Sequence, residues 1–475
     1  MSAASSSTSR AISSSGLYRW GLSEASSSFF SRSSAKMTPP SKLSTGTGAA
    51  SSQEQGVADT SGTAAASEPK FVSTSIAKDQ VAAVCTEGKL WTQGKNKYSS
   101  GRITTGGGDV SGVDLRLSAV NLPHACRQVA LGAKHGSAVL KTGELYAWGW
   151  GGSFFGGAGA LGFKPDRDHV EEPALVETLA GEKVKQVACG EKHTAVLTES
   201  GRVFTTGSGE YGLLGLGDVS DSAEFELVEH YPDSEFEAAG VAEDSIVKID
   251  CGLHHTAALT KQGELFVWGR NDQAQLGLGD ESMGDNFSFE SFPRLVRALP
   301  LAGLKVADFA CGDGHTDVLT ECGKVFTWGN RNWLSPHRIS RTLEEHSERQ
   351  KAESSGAGST QTAASDSGGT TATEIKSRKI FVEDDTDPQN RIKKLIGGGR
   401  FSLLLTQGGS LFGWGKKNTG CLPEDFVEPT LFDPFTTTGE GSEGDKAAKS
   451  CGTLLESCKI ADLTARGSHC VAIVE

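Results

Sequence analysis

No apolar run in this chain approaches the ~18 residues that a membrane-spanning helix needs, and 22% of the residues are charged. A helical membrane span is therefore excluded. No Cys-x-x-Cys occurs among the ten cysteines, so the usual spacing of a structural zinc site is missing. Nor is there a surplus of positive charge: the formal net charge is −13. Phosphate neutralisation wants a basic face, so direct DNA binding is not expected of this chain. The best basic run, Arg391-Ile392-Lys393-Lys394, reads as a solvated loop.

Glycine, in contrast, is plentiful, at 60 of 475 residues. Much of it falls into one signature. A Gly is followed by a His three residues on, a Gly eight further and a Gly six beyond that. The sets are Gly132/His135/Gly143/Gly149, Gly190/His193/Gly201/Gly207, Gly252/His255/Gly263/Gly269 and Gly312/His315/Gly323/Gly329, starting 58, 62 and 60 residues apart. Periods of this size mark supersecondary units that stack into a shared core.

One copy shows what the unit is. Val184 to Cys189 alternates apolar and polar residues and reads as a half-buried strand. His193 to Thr198 reads as a second strand, Glu199-Ser200-Gly201 as a hairpin turn, and Arg202 to Thr206 as a third strand. A fourth strand is expected to start near Pro173, Pro293, Pro336 or Pro429 in successive copies, since proline suits the start of an edge strand. Cys189, Cys251 and Cys311 hold one equivalent site and read as small buried residues, unpaired as in a reducing compartment.

Degenerate copies extend the register. Gly398/Phe401/Gly409/Gly415 and Ala77/Gln80/Gly88/Gly94 keep the spacing, and Arg466/His469 opens a last copy. Seven registers of four strands predict an all-β fold, a seven-bladed β-propeller of four-stranded antiparallel blades closed by its N- and C-terminal segments. Residues 15–475 form the single propeller domain, with 15–43 as the closing hairpin because Tyr18-Arg19-Trp20-Gly21 resembles Phe326-Thr327-Trp328-Gly329. Residues 1–14 remain as a targeting segment. Polar insertions near 44–68, 350–375 and 436–450 read as disordered, and 341–351 as a short charged helix.

The chain resembles the regulator of chromosome condensation repeat family. The residues that carry the resemblance are Val187-Ala-Cys-Gly190-Glu-Lys-His193-Thr-Ala-Val-Leu-Thr, Val203-Phe-Thr-Thr-Gly207 and Gly212-Leu-Leu-Gly215-Leu-Gly-Asp218. A closer copy runs from Cys251 to Asp280. The resemblance implies a seven-bladed propeller. Its founding member is a guanine-nucleotide exchange factor for a small GTPase on chromatin. A plant ultraviolet photoreceptor branch relies on clustered Trp and Arg, which the eight Trp here, mostly at Trp-Gly strand ends, do not form. A mitochondrial branch, linked to ribosome or RNA processing and to a dynamin-like GTPase, is resembled most by Tyr18 to Gly21 and by Leu90 to Lys97.

The repeated histidines read as structural, each bonding a neighbouring backbone carbonyl or amide. Gly207-Ser-Gly209-Glu-Tyr-Gly212 spells a dinucleotide motif but lacks the helix that gives it meaning. No acid–base pair or nucleophile is assembled and no cofactor or metal is implied. The expected function is a non-catalytic, monomeric protein-interaction scaffold. The alternatives are nucleotide exchange on a small or dynamin-like GTPase, and a factor associated with mitochondrial ribosomes or RNA processing. Contacts are expected where the repeat is broken. Those places are the glycine-rich return with Trp150, Phe154 and Phe155, and the acidic insert 219–245 with Glu224, Glu226, Glu235 and Glu237. The acid-poor, Ser-rich first 53 residues point to a mitochondrial address, with cytoplasm or nucleus as the alternative.

Overall fold

The computed structural model describes residues 15–21, 40–45, 68–77, 80–94, 116–152, 159–229, 246–278, 288–296, 304–329, 378–382, 389, 391–416, 421–434 and 459–475. The repeat unit is a blade. Val184–Cys189, His193–Thr198, Val203–Gly207 and Ser222–Leu227 form one antiparallel sheet in chain order. Alternation gives each blade two apolar faces, and each face packs on a neighbour. The second strand is consequently buried along its whole length. The inner strands Phe71–Ile76, Cys126–Leu131, Val184–Cys189, Ile246–Cys251, Val306–Cys311, Ile392–Gly397 and Ile460–Arg466 open blades 1 to 7. The whole is a seven-bladed β-propeller.

The last blade joins the two ends of the chain. Gly16–Gly21 pairs with His469–Val474, from Gly16 opposite Val474 to Gly21 opposite His469, and Ser41–Lys42 adds the fourth strand. Trp20 Nε1 donates to the Cys421 carbonyl at 3.3 Å, fastening this blade to blade 6. The N-terminal segment then continues where a loop was expected. Ser44–Thr45 pairs in parallel with Arg116–Val120 of blade 1, so one segment spans blades 7 and 1. This protects an edge that would otherwise stay open.

The prolines sit later in the outer strands than the sequence suggested. Pro173 and Pro293 lie inside His169–Leu175 and Phe289–Leu295. In both strands the pairing jumps, from Gly149↔Val170 to Ala147↔Ala174 and from Gly269↔Glu290 to Val267↔Arg294. The proline occupies the bulge, where no ladder N–H is required. Phe426–Leu431 bulges in the same way around Pro429. Blade 5 takes Arg378–Val382 as its fourth strand. Pro336, the segment 341–351, the insertions 350–375 and 436–450, residues 46–67 of the first insertion and the segment 1–14 lie outside the described residues.

The run Arg391 to Lys394 is likewise not a loop. It enters the inner strand of blade 6, and Lys394 Nζ lies 2.8 Å from Asp462 Oδ1 on blade 7. The same register pairs Lys248 of blade 4 with Asp308 of blade 5. In blades 2 and 3 it carries Gln128 and Gln186. Each amide both accepts from and donates to one residue of the next inner strand, Val187 (3.1 and 3.2 Å) or Ile249 (3.1 and 2.8 Å). The position works as a staple between blades.

The signature histidines form a second set of staples. Each meets a hydroxyl of the next blade, which the sequence did not suggest, and His135 also has the backbone bond expected, to His193. His135 Nε2 meets Thr194 Oγ1 at 3.0 Å, His193 meets Thr256 at 2.9 Å, His255 meets Thr316 at 3.1 Å and His315 meets Ser402 at 2.9 Å. The three threonine hydroxyls donate onward to the carbonyls of Ala160, Leu213 and Gln275. Their single hydrogen is thereby used, so Nε2 of each histidine before them donates, and burial, which lowers all three histidines, keeps the rings neutral. The signature glycine follows from this packing: a Cβ on Gly190 would fall 2.1 Å from a His193 ring carbon.

Candidate partner-binding face

The turns between first and second strands and the returns between third and fourth strands share one end of the ring. On blade 2, Trp150 ends the third strand, opposite His169. Lys134 Nζ stands 4.2 Å from its ring centroid, and the Trp150 N–H donates to the Lys134 carbonyl at 2.9 Å. This cation–π pair holds a half-buried aromatic in place. Phe154 and Phe155 lie outside the described residues. The return is anchored beyond them, where Ala160, Leu161 and Phe163 are buried between blades 2 and 3.

Glu224 and Glu226 are not in an acidic loop. They belong to the outer strand Ser222–Leu227 of blade 3, because the alternating run Ser-Ala-Glu-Phe-Glu-Leu buries Phe225. Glu224 pairs with Lys164 at 2.5 Å, and Glu226 accepts from the Ser222 hydroxyl. Since Lys164 follows the Trp150 return, the structure brings Glu224 and that return to one edge. Glu235 and Glu237 lie outside the described residues.

The strongest cluster lies one blade further on. After Gly207 the chain makes the short 3-10 turn Glu210–Gly212, in which Tyr211 has φ 59°. A left-handed conformation costs a non-glycine residue about 1–2 kcal/mol. The ring is braced in return: Arg270 lies 4.8 Å from its centroid and His254 meets it edge-on at 6.2 Å. Arg270 is held by Asp272 at 2.7 Å, His254 by Glu191 at 3.0 Å, and Lys192 by Glu210 at 3.1 Å. The hydrogen bond from His254 keeps the Glu191 carboxyl below its ordinary range. On the neighbouring outer strand Phe289 and Phe292 are 42% and 40% exposed, and Val219 nearby is 53% exposed. Gly217 packs on the Phe292 ring, and its N–H donates to Ser291 at 2.9 Å.

Sequence reasoning missed Tyr211, Arg270, Phe289 and Phe292. Tyr211 was in view only within the false dinucleotide spelling. Its signal was an aromatic just ahead of Gly212, in a return that must turn within a few residues.

The channel along the ring axis is a different environment. It holds a cavity of about 260 Å³ among the inner strands. Arg466 donates from blade 7 to the carbonyls of Leu131, at 3.0 Å, and Cys189, on blades 2 and 3. Asp250 accepts from the N–H groups of Cys251 and Cys311, at 2.9 and 2.8 Å. Burial pushes the Asp250 and Asp313 carboxyls up. Most of these charged groups tie blade to blade.

The profile of the RCC1-like domain matches residues 41–353. The chain belongs to the RCC1-like domain family. It is 36% identical over 247 residues to the ultraviolet-B receptor UVR8 of Arabidopsis thaliana, covering 52% of this chain and 50% of that protein. It is 29% identical over 341 residues to the mitochondrial RCC1 domain-containing protein RUG3 of Arabidopsis thaliana, covering 70% of this chain and 62% of that one. The chain thus spans about half to three-fifths of these relatives. The solved structure of human WBSCR16 has the same fold, with a TM-score of 0.61 at 19% identity, covering 97% of this chain and 99% of the other.

Proposed function

We propose that the chain is a non-catalytic protein-binding scaffold whose partner docks on the return face of blades 2 to 4. The observation that carries this is Tyr211, held in a strained conformation between Arg270 and His254 beside two exposed phenylalanines. Rigid aromatic and arginine side chains are the groups that anchor interfaces, because ordering them on binding costs little. The test is quantitative co-purification with tagged wild type, Tyr211→Ala with Phe289→Ser, and Trp150→Ala. The double variant is expected to lose its specific partners while staying folded. Retention of every partner would overturn the assignment of this face.

Nucleotide exchange on a small or dynamin-like GTPase is a narrower form of the same reading. Exchange needs a rigid protrusion that perturbs a nucleotide site, and the braced Tyr211 turn has that character. Accelerated nucleotide release across a GTPase panel, abolished by Tyr211→Ala, is its signature. A mitochondrial address is supported by RUG3, described as mitochondrial, and by residues 1–14, which hold Arg10 and no carboxylate. A fluorescent fusion that leaves mitochondria unlabelled would refute it.

A further inference from the structure

In blades 3, 4 and 5 the residue after the signature histidine reaches the return of the preceding blade. The hydroxyls of Thr194, Thr256 and Thr316 donate to the carbonyls of Ala160, Leu213 and Gln275 at 2.7, 3.3 and 2.8 Å. The tryptophan opposite that residue reaches the same place. Trp268, opposite Thr256, and Trp328, opposite Thr316, donate through Nε1 to Leu213 and Gln275, each at 3.0 Å. Blade 7 repeats the arrangement with other residues. Trp20 stands opposite Cys470 and donates to the Cys421 carbonyl. Cys470 thus holds the place of the threonine, and Cys421 the place of Leu213 or Gln275. The register itself sets two cysteines against each other where blades 6 and 7 meet.

Both residues are thiols, fully buried in one cluster with Trp20, Phe401 and Leu422. Their side chains are hydrogen-bonded to each other. A thiol is a weak donor and a weak acceptor, so this bond fastens the junction less well than the threonine hydroxyls fasten theirs. A covalent bond at the same contact would close a loop of about 50 residues. Closing so long a loop removes much entropy from the unfolded chain.

We propose that Cys421 and Cys470 form a disulfide site, which locks the closing blade to blade 6 when the chain meets a low-molecular-weight disulfide such as oxidised glutathione. One cysteine thiolate attacks a glutathione sulfur and releases one glutathione thiol; the second cysteine then displaces the other. The glutathione S–S bond breaks, the Cys421–Cys470 bond forms, and the two cysteine protons end on the two glutathione thiols. The cysteines are oxidised and glutathione is reduced. Burial pushes the Cys470 thiol well above its ordinary range, and its bond with Cys421 acts the same way. Exchange needs a thiolate, so it belongs to the stage before blade 7 closes over the pair. Once formed, the bond is shielded from external thiols.

The full-length chain is unfolded in urea and refolded in oxidised or reduced glutathione. Remaining thiols are then alkylated and the protein is cut with trypsin. Cleavage after Lys417, Lys446 and Arg466 leaves Cys421 and Cys470 on separate peptides that carry no other cysteine. Mass spectrometry should find these two peptides joined in the oxidised sample. The thermal midpoint should lie about 2–5 °C above that of the reduced sample. Cys470→Thr, which installs the residue of blades 3 to 5, should fold and lose the difference between the two buffers. Cys421→Ala, which keeps the carbonyl that Trp20 needs, should lose it as well. The proposal is overturned if the two peptides are not joined, if Cys470 joins Cys451 or Cys458 instead, or if either variant keeps the full shift.

Discussion

Acidification should unfasten the ring, and the size of the effect follows from the histidine staples. Burial lowers His135 to about 4 and His255 to about 3, and holds His193 well below its ordinary value. In the unfolded chain a histidine takes up its proton near pH ~6.5. Below that pH the unfolded state binds more protons than the folded one, so stability falls as pH falls. Each such histidine removes about 1.4 kcal/mol per pH unit, or about 2 kcal/mol between pH ~6.5 and ~5. His135 and His255 together remove about 4 kcal/mol, a large part of the ~5–15 kcal/mol that holds most proteins folded. The raised carboxyls of Asp250 and Asp313 act with the opposite sign, gaining stability as pH falls. Comparison with a variant cancels their share. Blade 1 supplies the design, because buried Gln80 stands opposite Gly94 as His193 stands opposite Gly207. His255→Gln keeps a donor for Thr316 and cannot titrate. Urea unfolding followed by tryptophan fluorescence should give a stability–pH slope shallower by about 1.4 kcal/mol per pH unit between pH ~6.5 and ~5. Parallel slopes for wild type and variant would refute the assignment of this histidine as a buried neutral group.

Thr256→Val removes the acceptor for His193 and leaves a buried N–H unsatisfied, so urea unfolding should show a loss of about 1–3 kcal/mol. A loss below about 0.5 kcal/mol, the level of an ordinary surface substitution, would mean that the bond contributes nothing net. Gly190→Ala drives a methyl group into the His193 ring, and overpacking of this kind costs about 1–3 kcal/mol or more. The same assay should place it at or below Thr256→Val in stability; a wild-type midpoint would show that the ring can move aside.

The architecture was legible because its packing is repeated and strict. At one place in each of blades 2 to 5 a buried imidazole must fit beside the backbone, so glycine and histidine recur at a spacing that survives the loss of other residues. Gln80 and Phe401 could replace the histidine and keep the register, because the spacing encodes the sheet and not the bond. The partners of those histidines were not legible. Thr194, Thr256, Thr316 and Ser402 belong to the next copy, and nothing local distinguishes them from other strand hydroxyls.

Arg466 shows why the breaks in the repeat carry information of their own. It stands where blades 2 to 6 have the signature glycine, and its guanidinium bridges blade 7 to carbonyls of blades 2 and 3. A side chain of that length cannot be repeated around the ring. Seven copies would meet at the axis, and their like charges would repel in a confined space. A symmetric fold has room for one such group, so the substitution must appear in a single copy and must look degenerate. The blade that carries it is the one assembled from the two ends of the chain. There, bonds to distant blades act on the closure of the ring itself, which the pairing of Gly16–Gly21 with His469–Val474 would otherwise hold with less help from blades 2 and 3.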